Sequence, residues 1–358
     1  MSERENIAFE KGRPVRVLVV DDSAFARKVV REIFENDDRV QVVGTARDGE
    51  EALEQTAALE PDLVISDLRM PNMSGVDFVR RQMAVKPLPI LILSSASQDE
   101  IEVVEALNAG AIDVVQKPTA LATDDLKGVR DVLIEKVRGA LSVPVQNLVR
   151  ELTPVVAPME TVARVGRATK VDIVVIGIST GGPQALRRLV PLFPANFPVP
   201  IAIVLHMPVG YTALYAEKLN EICSLTVKEA AEGDVLRPGL VLIAQAGRHL
   251  VFRRTASGEV VAQVTLQPLD KIHRPSADVL FRSAAETFGE RVLAVVMTGM
   301  GDDGKEGSAW VKAKGGQVIA EAEKSCVIYG MPRAVVEAGL SDVVVPLDDM
   351  ARTITQGV

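Results

Sequence analysis

Cysteine and histidine are both scarce in this chain. Two cysteines, Cys223 and Cys326, in 358 residues make neither a disulfide framework nor a metal-ligand set. That usage fits a reducing compartment. Three histidines, His206, His249 and His273, leave a short search for any imidazole base. Long apolar runs are missing too. The longest, 171–178 and 292–297, have the length of strands and fall far short of the ~20 residues of a membrane-spanning helix. The stretch 1–14 is charged, with no signal-peptide core. The expectation is a cytoplasmic protein without direct membrane insertion. Nor is there an excess of basic charge: 40 Lys and Arg against 48 Asp and Glu give a net charge of −8. That balance argues against a general nucleic-acid or membrane-surface binder.

What is present is a large apolar fraction, 47%, enough for packed cores and too much for a disordered scaffold. The length suits two domains. Near-continuous apolar runs at 15–20, 40–45, 62–66, 89–94 and 112–115 alternate with amphipathic stretches at 23–35, 50–59, 76–85, 99–109 and 124–141. Strands of that kind are buried on both faces of a parallel sheet. The pattern predicts a flavodoxin-like doubly wound α/β domain over 15–141. Pro144, Pro154, Pro158 and mixed charges mark 142–169 as a linker, with a short helix near 146–152.

A second α/β domain is expected over 170–358. Its strands fall at 172–178, 199–205, 241–243, 260–266, 292–297, 317–320 and 342–345, and its helices at 183–192, 212–222, 277–288, 304–313, 332–338 and 347–354. Between 226 and 267 the runs are short and punctuated by glycine, as in a β-hairpin insertion. The predicted class is a Rossmann-like parallel-sheet domain carrying that hairpin.

In the first domain Asp21 and Asp22 end the first strand and Asp67 the third. On the carboxyl edge of a parallel sheet these carboxylates converge and repel, and Mg²⁺ relieves that repulsion. Ser94 and Lys117, at the ends of the fourth and fifth strands, add a hydroxyl and an ammonium. The set suits phosphoryl transfer to a carboxylate. Taken singly, an aspartate at a strand end is an ordinary turn or cap residue.

In the second domain Gly177-Ile-Ser-Thr-Gly181 places Ser179 on a strand-to-helix turn with the spacing of a nucleophile elbow. A dinucleotide loop is the competing reading. The G-x-G-x-x-G pattern and an acid at the end of the second strand are both absent. That strand ends instead in His206, on the same edge as Ser179 if the strands are neighbours. Asp302 and Asp303 follow a third apolar run and supply candidate acids. A chain order of serine, acid, histidine would require His249 or His273, which rank below His206 because neither follows a strong buried strand. From the residues alone, an N-cap serine, a cleft histidine and an Asp-Asp-Gly turn remain open.

The stretches Val19-Val-Asp-Asp-Ser23, Ile65-Ser-Asp-Leu-Arg-Met-Pro71 with Gly75, Leu93-Ser-Ser95 and Gln116-Lys-Pro118 resemble a response-regulator receiver domain over about residues 15–140. The resemblance implies Asp67 as phospho-acceptor and Mg²⁺ held by Asp21, Asp22, Asp67 and the carbonyl of Arg69. Ser94 and Lys117 would be the switch pair, and a sensor histidine kinase the donor.

Over about 171–345 the chain resembles the catalytic domain of chemotaxis protein-glutamate methylesterases. The matching stretches include Ile176-Gly-Ile-Ser-Thr-Gly-Gly182, His206-Met-Pro208, His273-Arg-Pro-Ser276, Thr298-Gly-Met-Gly301 with Asp303-Gly304, and Gly330-Met-Pro-Arg333. By that resemblance Ser179 is the nucleophile, His206 the general base and Asp303 its orienting acid. The main-chain N–H groups near Thr180 and Met300 would be the oxyanion donors. No cofactor for ester hydrolysis is implied. The implied activity is hydrolysis of glutamyl methyl esters on methyl-accepting chemoreceptors, with glutamine deamidation, gated by phosphorylation of the receiver. Cys326 is expected to be a packed small residue.

Three departures stand out. Asp302 replaces the usual asparagine, with the expectation that its charge raises the pKa of its neighbour. Ala244-Gln-Ala-Gly247 replaces an Ala-Pro-Gly turn. Glu321-Ala-Glu323 replaces a stretch beginning with glutamine. A phosphorylation-controlled adaptor with a vestigial site is the rival reading, opposed by the joint retention of Ser179, His206 and Asp303. A DNA-binding output would need more basic surface than Arg187 and Arg188 provide. That pair could instead meet an acidic receptor helix, though a solvated helix face is the preferred reading.

Overall fold

The computed structural model describes residues 13–35, 37–95, 100–117, 130, 132–134, 136–137, 139–140 and 171–358. The expected linker and its short helix lie outside these residues. The chain divides into two compact units, residues 1–151 and 152–358.

In the first unit the described strands are β1 (Val15–Val20), β2 (Val40–Ala46), β3 (Leu63–Asp67), β4 (Ile90–Ser94) and β5 (Asp113–Gln116). They form one parallel sheet in the order β2-β1-β3-β4-β5. Helices α1 (Ala24–Phe34), α2 (Gly49–Leu59), α3 (Gly75–Val85) and α4 (Glu100–Ala109) connect them. Side-chain caps start three of these helices. Ser23 accepts from the Ala26 N–H, Asp48 from Glu51 and Ser74 from Asp77. Each satisfies a donor that a helix start leaves unpaired. The sheet order reverses between β1 and β3, so Asp21, Asp22 and Asp67 flank the topological switch point where such folds bind ligands. The expected helix over 124–141 is helical at its described positions, which begin at 130.

In the second unit seven parallel strands run in the order β14-β13-β12-β6-β7-β9-β8. These are β6 (Ile173–Ile178), β7 (Ile201–Leu205), β8 (Thr226–Glu229), β9 (Leu240–Ile243), β12 (Val292–Val296), β13 (Gln317–Glu321) and β14 (Val343–Val345). Strands β10 (His249–Arg254) and β11 (Val260–Thr265) form a separate antiparallel hairpin. The expected hairpin insertion is therefore shorter than 226–267. Segments β8 and β9 extend the parallel sheet instead, because Val227 and Leu240 to Ile243 each have a face to bury at its edge. Thr226–Glu229 carries only one buried residue, too short a pattern to be read as a strand.

The helices are α5 (Gly182–Leu189), α6 (Thr212–Asn220), α7 (Ala277–Phe288), α8 (Lys305–Ala313), α9 (Met331–Glu337) and α10 (Leu347–Gly357). All six residues of β6 are buried, because helices cover both faces of the sheet. Its Gly177 faces Ala277 and Phe281 of α7, whereas Ile178 faces Gly182 at the start of α5. Each fully buried Ile or Val of this strand contributes about 1.5–3 kcal/mol. The order reverses between β6 and β12, which puts the crevice at their carboxyl ends.

Helices α7 and α8 cross at Gly307. A Cβ there would lie 2.7 Å from the Phe281 Cβ and 2.8 Å from the Asp278 Cα. Gly307→Ala therefore pushes α8 off α7 and is expected to cost about 1–3 kcal/mol. The single tryptophan, Trp310, lies in α8 with Arg282 stacked 4.6 Å from its ring. Urea unfolding followed by its fluorescence checks this unit alone, and an unchanged midpoint would refute the crossing argument.

Candidate active site

At the first switch point, carboxylate oxygens of Asp21, Asp22 and Asp67 all lie within 4.8 Å of one another. Asp21 and Asp67 are buried and Asp22 is exposed. Lys117 Nζ lies 2.8 Å from Asp21 Oδ2 and 2.9 Å from Asp67 Oδ2. Burial pushes the Asp67 carboxyl above its ordinary pKa, against the pull of Lys117. Burial also opposes the charge of Lys117, but its bonds to Asp21 and Asp67 outweigh that and hold its pKa up. The oxygen-only donor set, crowded with negative charge, fits a hard divalent cation. Ser94 is buried at the end of β4, and the Lys117 N–H donates to its carbonyl. Exposed Arg69 reaches Glu102 with its side chain at 3.2 Å.

At the second switch point, three neighbouring strands each deliver one residue. Ser179 follows β6, His206 follows β7, and Asp303 lies in the loop after β12. The neighbour relation expected between the first two strands is present, and the His206 N–H donates to the Ile178 carbonyl at 3.1 Å. The Ser179 N–H donates to the Thr298 carbonyl at 3.0 Å. Gly299 makes that approach possible: a Cβ there would lie 2.7 Å from the Ser179 Cβ.

His206 Nε2 is 2.8 Å from Asp303 Oδ2. Asp303 also accepts from the Ala277 N–H at 2.7 Å, the Asp278 N–H at 3.0 Å and the Ser276 hydroxyl at 2.8 Å. Burial works against its charge, but His206 and the N–H groups opening α7 outweigh that and hold its pKa well below the ordinary range. An ionised Asp303 accepts, so Nε2 carries the imidazole proton and Nδ1 is the acceptor. Nδ1 is buried and unpartnered, and no hydrogen bond joins it to the Ser179 hydroxyl. Such bonds commonly tighten only when substrate is bound.

Asp278 returns the cap. Its Oδ1 accepts from the Gly304 and Gly307 N–H groups, at 2.9 and 2.8 Å, where α8 begins. Burial and the charge of Asp303 raise its pKa, while Lys271 at 3.2 Å offsets part of that. The expectation that Asp302 raises its neighbour's pKa is not met. Asp302 is exposed, and Asp303 is shifted down by its donors.

The other sequence candidates fall into place around this core. His273 is exposed, and its ring stacks on His206 with centroids 4.3 Å apart and planes 18° from parallel. Sequence reasoning missed that contact. His249 is buried in β10 with Nε2 3.1 Å from the Pro268 carbonyl, and burial lowers its pKa. Arg188 pairs with Asp348 rather than standing free on the surface. Cys326 is buried and its thiol is pushed well above the ordinary pKa by burial.

Thr298 was legible only as part of a motif, yet it ties three segments together. Its Oγ1 accepts from the Val327 and Ile328 N–H groups, both at 3.0 Å, and lies 3.0 Å from the Thr180 carbonyl.

A flavodoxin-like sheet with a carboxylate cluster at its crevice, in one chain with a parallel-sheet α/β unit whose crevice gathers Ser179, His206 and Asp303, is the class these two units define. Residues 17–127 match the response regulator receiver domain family, and residues 174–354 match the family described as CheB methylesterase. A protein-glutamate methylesterase/protein-glutamine glutaminase of Myxococcus xanthus is 47% identical, with 96% of this chain and 98% of that protein covered. A similarly named protein of Halalkalibacterium halodurans is 42% identical over 96% of this chain and 98% of its own length. The crystal structure of the Thermotoga maritima CheB methylesterase catalytic domain is 42% identical, with a TM-score of 0.51, and covers 53% of this chain and 100% of that one. The chain belongs to the CheB methylesterase family.

A carboxylate whose pKa is lowered by folding stabilises the fold above its unfolded pKa of about 3.9 and loses that contribution as pH falls through the folded value. Asp303→Asn is therefore expected to lower stability by about 2 kcal/mol at pH 7 through weakened hydrogen bonds to a charged group. The deficit should shrink below pH ~4. Trp310 fluorescence unfolding at a series of pH values reads it. A deficit independent of pH would refute the capped-carboxylate account.

Proposed function

We propose that this chain is a phosphorylation-controlled protein-glutamate methylesterase and protein-glutamine glutaminase acting on methyl-accepting chemoreceptors. The observation that carries the reading is the convergence of Ser179, His206 and Asp303 from three neighbouring strands, with the His206–Asp303 bond at 2.8 Å.

In this mechanism His206 Nδ1 takes the Ser179 proton as Oγ attacks the glutamyl carbonyl. The N–H groups near Thr180 and Met300 receive the oxyanion. The C–O bond to the methoxy group breaks, and methanol departs with the proton returned by His206. Water, deprotonated by the same imidazole, then cleaves the glutamyl–serine ester and frees Ser179. With glutamine in place of the ester the leaving group is ammonia. Asp303 keeps the imidazole in one tautomer and stabilises the imidazolium that forms.

Control is exerted through Asp67. A sensor histidine kinase presents phosphohistidine, the Asp67 carboxylate attacks phosphorus, the P–N bond breaks and an acyl phosphate remains. Asp21, Asp22, Asp67 and the Arg69 carbonyl would hold Mg²⁺, which when bound neutralises phosphoryl charge. Lys117 pairs with the phosphoryl group and Ser94 reports its presence. The protein works in the cytoplasm. Among the described residues no helix is long and apolar enough to cross a membrane.

Methylated receptor membranes incubated with the full chain and a small phosphodonor should release methanol. Ser179→Ala is expected to reduce release by at least ~10³-fold. Asp67→Ala should abolish the stimulation by phosphodonor while leaving basal hydrolysis. Release that persists in Ser179→Ala, or no release from the phosphorylated wild type, would overturn the reading.

A further inference from the structure

Glu321 ends β13 fully buried, next to the end of β12. A carboxylate taken wholly out of water is costly unless its oxygens find donors. Oε2 accepts from the Thr298 N–H at 2.9 Å, and Oε1 accepts from the Ser325 hydroxyl at 2.9 Å. Ser325 is itself anchored, because its oxygen accepts from the Leu347 N–H at 3.0 Å. The side chain thus links the start of α10 and the turn at 323–325 to Thr298. Thr298 in turn holds the Ser179 N–H with its carbonyl and meets the Thr180 carbonyl with its hydroxyl.

We propose that Glu321 is a positioning residue for the Ser179 turn, acting through Thr298 without touching substrate. The proposal rests on the esterase reading of Ser179 for its kinetic consequence only. Burial raises the pKa of Glu321, and Arg188 on α5, itself paired with Asp348, pulls it back in part. The geometry requires an acceptor facing Thr298, and a glutamine supplies one. Its amide oxygen takes the Thr298 N–H, and its NH₂ donates to Ser325, whose proton turns to the Ala322 carbonyl 3.1 Å away. A methionine fills the same space and offers Thr298 no comparable acceptor.

The test compares Glu321→Gln and Glu321→Met in the full phosphorylated chain, reading methanol release together with amide hydrogen exchange at Thr298 and Ser179. Glu321→Gln is expected to keep kcat within about twofold. Glu321→Met should lose roughly tenfold in kcat with KM within about twofold, because the turn shifts while the substrate surface does not. Both amides should exchange faster in Glu321→Met only. Should Glu321→Met not fold, Ser325→Ala removes one of the two anchors and is expected to give the same pattern at about threefold. Wild-type kcat and exchange in Glu321→Met, or an equal loss in Glu321→Gln, would overturn the proposal. If even wild type releases no methanol, the esterase reading fails, and the exchange comparison still decides the role of Glu321.

Discussion

The exchange of caps between α7 and α8 is the interaction on which the second unit's chemistry depends. Asp303, just before α8, closes the N-terminus of α7, and Asp278, inside α7, closes the N-terminus of α8. Each helix start offers N–H groups that need acceptors: α7 finds its acceptor in the loop that leads into α8, and α8 finds its acceptor on α7. The two carboxylates repel, so the arrangement holds only because every oxygen is supplied with donors and Lys271 adds a counter-charge. The immediate result is an aspartate whose direction is set by backbone, with one lone pair left for His206. Its low proton affinity then selects the tautomer of His206. Neither effect needs a substrate to be present.

Both units place their chemistry by the same topological rule. In each, the strand order reverses beside a central strand, and the loops at the carboxyl ends part there. The first unit fills its crevice with carboxylates and an ammonium, a set suited to phosphate. The second fills its crevice with a hydroxyl, an imidazole and a capped carboxylate. The fold supplies an address, and the residues supply the reaction.

Much of this was legible because strand ends are legible. The apolar runs ending in Asp67, Ser179 and His206 mark buried parallel strands, and a parallel sheet forces their ends to one edge. The edge strand Thr226–Glu229 was less so: it has one buried side chain and no periodicity to reveal it. Contacts between distant loops left no local trace. The bonds of Thr298 to residues near 180 and 328, the His273 ring lying on His206, and the carboxylate of Glu321 under Thr298 are all set by tertiary packing. Asp302 shows the reverse error. Adjacency in sequence suggested a charge coupling, whereas the groups that set the state of Asp303 are His206, 97 residues away, and the N–H groups opening α7, some 25 residues away.

The bond from His206 Nε2 to Asp303 reverses the usual use of the ring, in which the acid takes Nδ1 and the serine faces Nε2. Strand order explains the reversal. His206 leaves β7, Ser179 leaves the adjacent β6, and Asp303 follows β12, one strand further on. With strands about 4.8 Å apart, the acid stands roughly twice as far from the histidine backbone as the serine does. An imidazole has one nitrogen close to its main chain and one remote from it. The remote nitrogen is the one that reaches two strands across, and the close one is left without a hydrogen-bond partner. Which nitrogen of His206 meets Asp303 is thus decided by the order in which the chain laid down its sheet.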